Sequence, residues 1–207
     1  MPLGGCGEIG MNLNLFGHDG RWLMVDCGVT FEETLQGNEV QMPDPHFISE
    51  RTKSLVGIVA THAHMDHIGA LPHLADQFGC PIYTTPFTAA VLAPKLREAR
   101  SKAVVNIVHP GQSLALGPFQ LTWLPITHST PETNGLFIET AAGSIVHTAD
   151  WKIDPTPVVG QEFDRPLWQN LASKVVDAVV CDSTNAMNLG HSLSEADLYE
   201  GLFDLIQ

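Results

Sequence analysis

The stretch "ATHAHMDHIGALPHL", residues 60–74, places His62, His64, Asp66 and His67 within six positions. Three imidazoles and a carboxylate this close compete for solvation. A bound cation offsets that cost. A polar loop with mutually hydrogen-bonded histidines is the competing reading, and for a lone histidine it is the better one. The pattern H-x-H-x-D-H directly after an apolar run reverses that preference. His62 and His64, two apart in an extended turn, can point the same way. Asp66 and His67 follow at a helix start and can face a second point nearby. The arrangement is a template for two cations. Imidazole and carboxylate donors suit zinc, manganese or iron, with zinc bonds of ~2.0–2.2 Å. Two-metal hydrolases hold their ions ~3.5–4 Å apart with a hydroxide between them.

Two further segments have the same form, an apolar run ending in a ligand type. "LTWLPITHSTPE" ends in His128 and "GSIVHTADWKID" in Asp150. A carboxylate at Asp150 can bridge two cations and balance their charge. His147, three residues earlier, reads as structural. His18, His46 and His109 read as turn residues, and His73 as a surface residue. Asp26 ends "RWLMVDCG" and reads either as a ligand or as a buried acceptor that orients the ligand loops.

Strands must deliver these residues. "NLNLFGHDGRWLMVDCG" predicts a hairpin around Asp19-Gly20. Residues 31–54 are polar and irregular, which predicts a long loop or a short helix. "LVGIVAT" predicts a strand buried on both faces, ending at the histidine cluster. A helix is expected from about His67 to Phe78, with Gly79 past its end. "PIYTT" predicts a strand, and Pro86 the first turn of a helix reaching about Lys102. Strands are expected near 104–108, 112–116, 119–126, 134–140 and 144–149, and a buried one over 175–183. Ser192 and Glu195 suggest a capping box for a last helix with Leu198, Leu202 and Leu205 on one face. The mixture predicts a layered α/β domain with sheets face to face and helices outside.

The 207 residues suit one substantial domain. The formal charge of -13 argues against a protein that grips nucleic acid by a basic surface. It leaves room for a nuclease whose local field comes from bound cations. No run approaches ~20 apolar residues, so no membrane span is expected. The N-terminus lacks the plan of a secretory signal. Cys6, Cys27, Cys80 and Cys181 form no CxxC and read as reduced thiols, mostly in the core, in a cytoplasmic protein.

The order of Asp26, "THAHMDH", "THS" and "HTADWKID" resembles the metallo-β-lactamase superfamily. More narrowly, "PLGGCGEIGMN", "VDCGVTF", "THAHMDHIGALPHL", "PITHSTPE", "IVHTADWKID" and "CDSTNA" resemble the ribonuclease J branch of the β-CASP nucleases. These matches run in order from residue 2 to about residue 186. The resemblance implies an αββα sandwich with two divalent metal ions, zinc or manganese. It implies His62, His64 and His128 at the first ion, Asp66 and His67 at the second, and Asp150 bridging. Asp26 would support them from behind. Asp66 would also be the catalytic carboxylate that orients the attacking hydroxide. The implied reaction is hydrolysis of an RNA phosphodiester, from a 5′-monophosphate end or internally.

Two departures accompany the resemblance. Position 65 is Met, where this branch commonly has Glu; tuning rather than loss is expected. The family also completes its second metal site with a histidine beyond an inserted β-CASP domain. The expectation is therefore a metallo-β-lactamase domain over residues 1–207, truncated before that insertion, with a looser second site and weak activity. An uncovered apolar face would favour a homodimer. Two other functions compete: a small-molecule hydrolase of the same superfamily, acting on a thioester or lactam, and a non-catalytic fragment that binds metal or a partner.

Overall fold

The computed structural model of the chain describes residues 1–34 and 37–206. It opens with β1 (Pro2–Gly4), β2 (Leu13–His18) and β3 (Arg21–Val25). A ribbon of β4 (Thr30–Thr34) and β5 (Gly37–Gln41) follows, then the single turn α1 (His46–Ser49) and β6 (Leu55–Val59). Next come α2 (Met65–Ile68), α3 (Leu71–Phe78), β7 (Ile82–Thr84), α4 (Pro86–Glu98) and β8 (Val105–Ile107). The rest holds β9 (Ser113–Leu116), β10 (Phe119–Pro125), β11 (Asn134–Thr140), β12 (Gly143–His147), α5 (Arg165–Leu171), β13 (Ala178–Val180) and α6 (Glu195–Ile206).

One sheet has the order β1-β2-β3-β6-β7-β8 and the other β13-β12-β11-β10-β9. Alternation along the strands sorts side chains into layers. In β3, Leu23 and Val25 face the second sheet, while Met24 faces the helices. In β10, Phe119, Leu121 and Trp123 face the first sheet. These residues, with Val59, Leu136 and Ile138, form the core between the sheets. Truncating fully buried Trp123 to Ala would cost about 3–5 kcal/mol. On one outer face Ile48, Leu71, Phe78, Leu92 and Leu96 of α1, α3 and α4 pack against the first sheet. On the other, Leu167, Trp168 and Leu171 of α5 cover Leu124, Phe137 and Val146. The result is the expected αββα sandwich.

The expected hairpin forms, because Asp19 (φ 48°) and Gly20 (φ 70°) both take the left-handed backbone of a two-residue turn matched to strand twist. Other expectations need correction. Residues 31–54 do hold the short helix α1, but they are not mainly loop, since β4 and β5 also pair there, with Phe31 opposite Val40. Both side chains are exposed, so no buried face marked the ribbon in the sequence. The helix of residues 67–78 is split into α2 and α3 and begins at Met65. The carbonyls of Asp66 and His67 accept from Asn12 N–H (3.0 Å) and Cys27 N–H (2.8 Å) instead of continuing one helical ladder. α4 ends at Glu98, not Lys102. Arg100 turns left-handed (φ 56°), and Asp76 takes Ser101 Oγ (2.7 Å) and Lys102 N–H (2.8 Å).

The strand expected over 175–183 shrinks to β13, an edge strand, and Val179 is 60% exposed rather than buried. The cap of α6 lies two residues later than expected. Ser194 accepts from Ala196 N–H (3.3 Å), and Asp197 accepts from Ser194 N–H (3.2 Å). Leu198, Leu202 and Leu205 on that helix are exposed. Cys27 is buried and Cys80 half-buried, but Cys6 and Cys181 are exposed. Among the described residues no helix is long and apolar enough to cross a membrane.

Candidate metal centre

β3 and β6 are parallel neighbours, so Asp26 and Thr61 emerge side by side at their carboxyl ends. β10 and β12, both antiparallel to β11, end on the same side of the second sheet. Packing the sheets face to face brings these four strand ends together. His62, His64, Asp66, His67, His128 and Asp150 all meet there.

They fall into two groups sharing Asp150. His62, His64, His128 and Asp150 can each offer one ligand atom within 4.8 Å of the others. Asp66, His67 and Asp150 satisfy the same condition. His64 Nδ1 lies 3.1 Å from both His62 Nε2 and His128 Nε2. Three ring nitrogens that converge in this way suit a cation, because one proton cannot satisfy three lone pairs. His128 Nε2 is 3.7 Å from Asp150 Oδ2, and His67 Nε2 is 3.2 Å from Asp150 Oδ1. The donor set fits zinc or manganese.

Asp26 is fully buried, with a left-handed backbone (φ 62°). Holding a non-glycine residue there costs on the order of 1–3 kcal/mol, which the surrounding contacts must offset. Its Oδ1 accepts from Thr61 N–H at 2.8 Å. Its Oδ2 accepts from the Thr61 hydroxyl (2.9 Å) and from His67 Nδ1–H (2.8 Å). The Thr61 hydroxyl, its proton committed to Asp26, accepts from His62 Nδ1–H at 3.0 Å. One carboxylate thereby sets the tautomer of two histidines and leaves both Nε2 atoms facing inward.

Burial, with the neighbouring histidines, pushes His62 well below the usual histidine range, so its ring is neutral at neutral pH. Burial likewise lowers His128, against the pull of Asp150. His67 goes the other way. Burial lowers it, but Asp26, Asp150 and Asp66 together hold it well above the usual value. Burial raises Asp66 and Asp150, yet His67 outweighs it and holds both below the ordinary carboxylate value.

Of the remaining histidines, His147 and His73 divide as expected, while His18 ends β2 and His46 opens α1 rather than lying in turns. His147 is buried, accepts Ala149 N–H at Nδ1 (3.1 Å) and stands edge-on to Phe16. His73, His46 and His109 are exposed. Met65 packs partly buried against the helix-side core.

Three supporting residues were not singled out by sequence reasoning. Asn12 Nδ2 lies 3.1 Å from Asp66 O, 3.4 Å from Asp66 Oδ2 and 3.1 Å from His67 Nε2. Its only signal was membership of the "GGCGEIGMN" opening. Gly28 passes so close to α2 that a Cβ there would sit 1.6 Å from Asp66 O. Glu132 ties the His128 loop to α4 by accepting Phe87 N–H at 2.7 Å. A cleft of about 380 Å³ opens over Asp66, His67 and Asp150. The glycine-rich loop around Cys6 and Glu8 and the segment Asp182–Thr184 also line it.

The fold and the donor cluster define a class, and sequence comparison agrees. A family model described as "Beta-lactamase superfamily domain" matches residues 21–192, and the chain belongs to that family. Within it, the chain is 43% identical over 214 residues to ribonuclease J of Sinorhizobium meliloti, covering 100% of this chain and 38% of that protein. It is 39% identical over 207 residues to ribonuclease J of Mycobacterium tuberculosis, covering 99% of this chain and 37% of that protein. The chain thus spans less than two fifths of the length of these relatives. A solved structure of a protein of unknown function from Enterococcus faecalis shares the fold, with a TM-score of 0.66 and 16% identity, over 95% of this chain and 54% of that one.

Proposed function

We propose that this chain is a metal-dependent phosphodiester hydrolase acting on RNA, of the ribonuclease J type, with residues 1–207 belonging to one metallo-β-lactamase domain. The observation that carries this reading is the convergence of four imidazoles and two carboxylates in two groups that share Asp150, the second of which opens into the cleft. His62, His64 and His128 would hold one divalent ion, Asp66 and His67 a second, and Asp150 both. Zinc is the first choice of ion and manganese the second. Two such cations supply Lewis-acid activation of water and neutralise charge on a phosphodiester. Asp66, held ionised beside His67 and steadied by Asn12, would orient the attacking water and hold its proton. Asp26 keeps His62 and His67 in the tautomers that ligation requires. The cleft is acidic, so an RNA backbone would approach only once cations are bound.

The ribonuclease J relatives favour RNA over a small-molecule substrate. Cleavage from a 5′-monophosphate end, internal cleavage and a cytoplasmic location belong to the same proposal. So does self-association through the exposed apolar side chains of α6, which sedimentation would reveal. The test is elemental analysis of protein purified without chelator, joined to an assay on 5′-monophosphorylated RNA with and without chelator. Bound zinc or manganese and chelator-sensitive RNA hydrolysis are expected. Protein that cannot be loaded with metal overturns the reading. Metal-loaded protein that cleaves a thioester or lactam but not RNA moves it to the small-molecule hydrolases.

A further inference from the structure

β10 and β12 are not neighbours; β11 lies between them. Adjacent strands are ~4.8 Å apart, so the ends of β10 and β12 are separated by roughly 10 Å. No ladder hydrogen bond can join them. Yet His128, beyond β10, and Asp150, beyond β12, approach to 3.7 Å. Something must draw the two loops together over the end of β11.

The contacts that do so involve Thr127 and the segment Lys152–Asp154. Lys152 N–H donates to Thr127 O at 2.8 Å. The Thr127 hydroxyl donates to Lys152 O and accepts from Asp154 N–H at 3.1 Å. Thr127 and Asp154 are 6% and 2% exposed, so water does not compete for these bonds. Asp154 then fastens the joint to a third element. Its Oδ1 accepts from Ser194 Oγ (2.7 Å) and Thr156 N–H (3.0 Å). Its Oδ2 accepts from Glu195 N–H (2.9 Å) and the Lys152 ammonium (3.0 Å). Both oxygens are filled, and such a fully satisfied buried network is rigid.

We propose that Thr127 and Asp154 are positioning residues, a clasp that ties the His128 loop to the Asp150 loop and to the N-terminus of α6, and so sets the spacing of two ligands of one ion. The inference rests on the metal-binding reading above. Its chemistry is narrow. An amide at position 154 would put an N–H group against a backbone N–H, because each carboxylate oxygen already receives one. Valine at 127 keeps the shape of threonine but removes the hydroxyl that both donates and accepts. Serine keeps that hydroxyl.

Zinc titration of the full chain against a competing chromophoric chelator tests this, with thermal melting in parallel. The variants are Thr127→Val, Thr127→Ser, Asp154→Asn and, as a control, Asp177→Asn. Asp177 also accepts a backbone N–H, from Ser144 at 2.8 Å, but it precedes β13, away from the ligand-bearing strand ends. Thr127→Val and Asp154→Asn should weaken the tighter zinc by roughly 10–100-fold, the range for lost supporting hydrogen bonds. Thr127→Ser should restore affinity, and Asp177→Asn should lower only the melting temperature. Thr127→Val and Asp154→Asn that melt earlier yet hold both zincs like the parent overturn the clasp and leave the metal reading standing. A parent chain that takes up no zinc overturns both.

Discussion

The two donor groups share Asp150 but are built from opposite materials. At the His62–His64–His128 end, burial and mutual repulsion keep His62 and His128 neutral. At the Asp66–His67–Asp150 end, three carboxylates surround one imidazole and favour a proton on it. The partner of the second ring nitrogen differs as well. His62 leans on a threonine hydroxyl, whereas His67 leans on the Asp26 carboxylate directly. Burial makes one imidazole proton-poor, and nearby carboxylates make the other proton-rich against the same burial. One end is ready for a cation; the other must first release a proton.

The strongest way to break the contrast is to remove its common root. Asp26→Ala deprives both ends of their orienting carboxylate and leaves His67 buried without its partner. It should destabilise the chain by about 3–5 kcal/mol, read by urea denaturation, and empty both sites. Retention of zinc at one end with unchanged affinity would show that the ends have separate supports.

The next largest effect is expected from Asp150→Ala compared with His147→Ala. Asp150 belongs to both groups, so its loss should weaken zinc at both ends by more than the roughly 10–100-fold typical of a supporting residue. His147→Ala should lower stability while leaving zinc bound. Equal zinc loss in a titration of the two variants would mean that the end of β12 has been assigned wrongly.

Proton bookkeeping sharpens the contrast. The proton on His67 Nε2 must leave before a cation enters the second group. Affinity there should climb about tenfold per pH unit below the raised His67 pKa, with about one proton released per ion. His62 and His128, already neutral, should release no proton when the first group takes up its ion. Calorimetry in buffers of different ionisation enthalpy measures both. In the metal-free chain the sign is opposite. A raised folded pKa contributes stability that is complete below the unfolded value of about 6.5 and is lost as pH rises through the folded value. Metal-free protein should therefore lose stability on the alkaline side while metal affinity gains. The smallest effect is expected from Asn12→Ala, about a 10-fold weakening confined to the Asp66–His67 end. A similar loss at the three-histidine end would make Asn12 a general support.

Much of the candidate site was legible because its candidate ligands follow points where an apolar run breaks into polar residues. Val59 to His62, Pro125 to His128 and His147 to Asp150 all repeat this form. Asp26 was legible in the same way, although whether it ligates or supports was not. The ribbon of β4 and β5 was not legible, because the apolar side chains described there, Phe31 and Val40, are exposed and impose no buried alternation. The break between α2 and α3 was hidden as well, since the partners of the Asp66 and His67 carbonyls are Asn12 and Cys27, far away in the chain.

The sequence by itself determined the residue types, the strand-then-ligand order and the layered α/β class. These are local properties, written in hydrophobic period and in the chemistry of neighbouring side chains. Only the tertiary structure decided how the ligands divide. The two-group arrangement arises because β3 pairs with β6 in one sheet while β10 and β12 end together in the other. Which imidazole is neutral follows from its burial and from how many carboxylates surround it. Asp26, 35 residues before Thr61 and 41 before His67 in the chain, is one of those carboxylates. No short window of sequence contains both partners, so the protonation of the site is a property of the packed sheets.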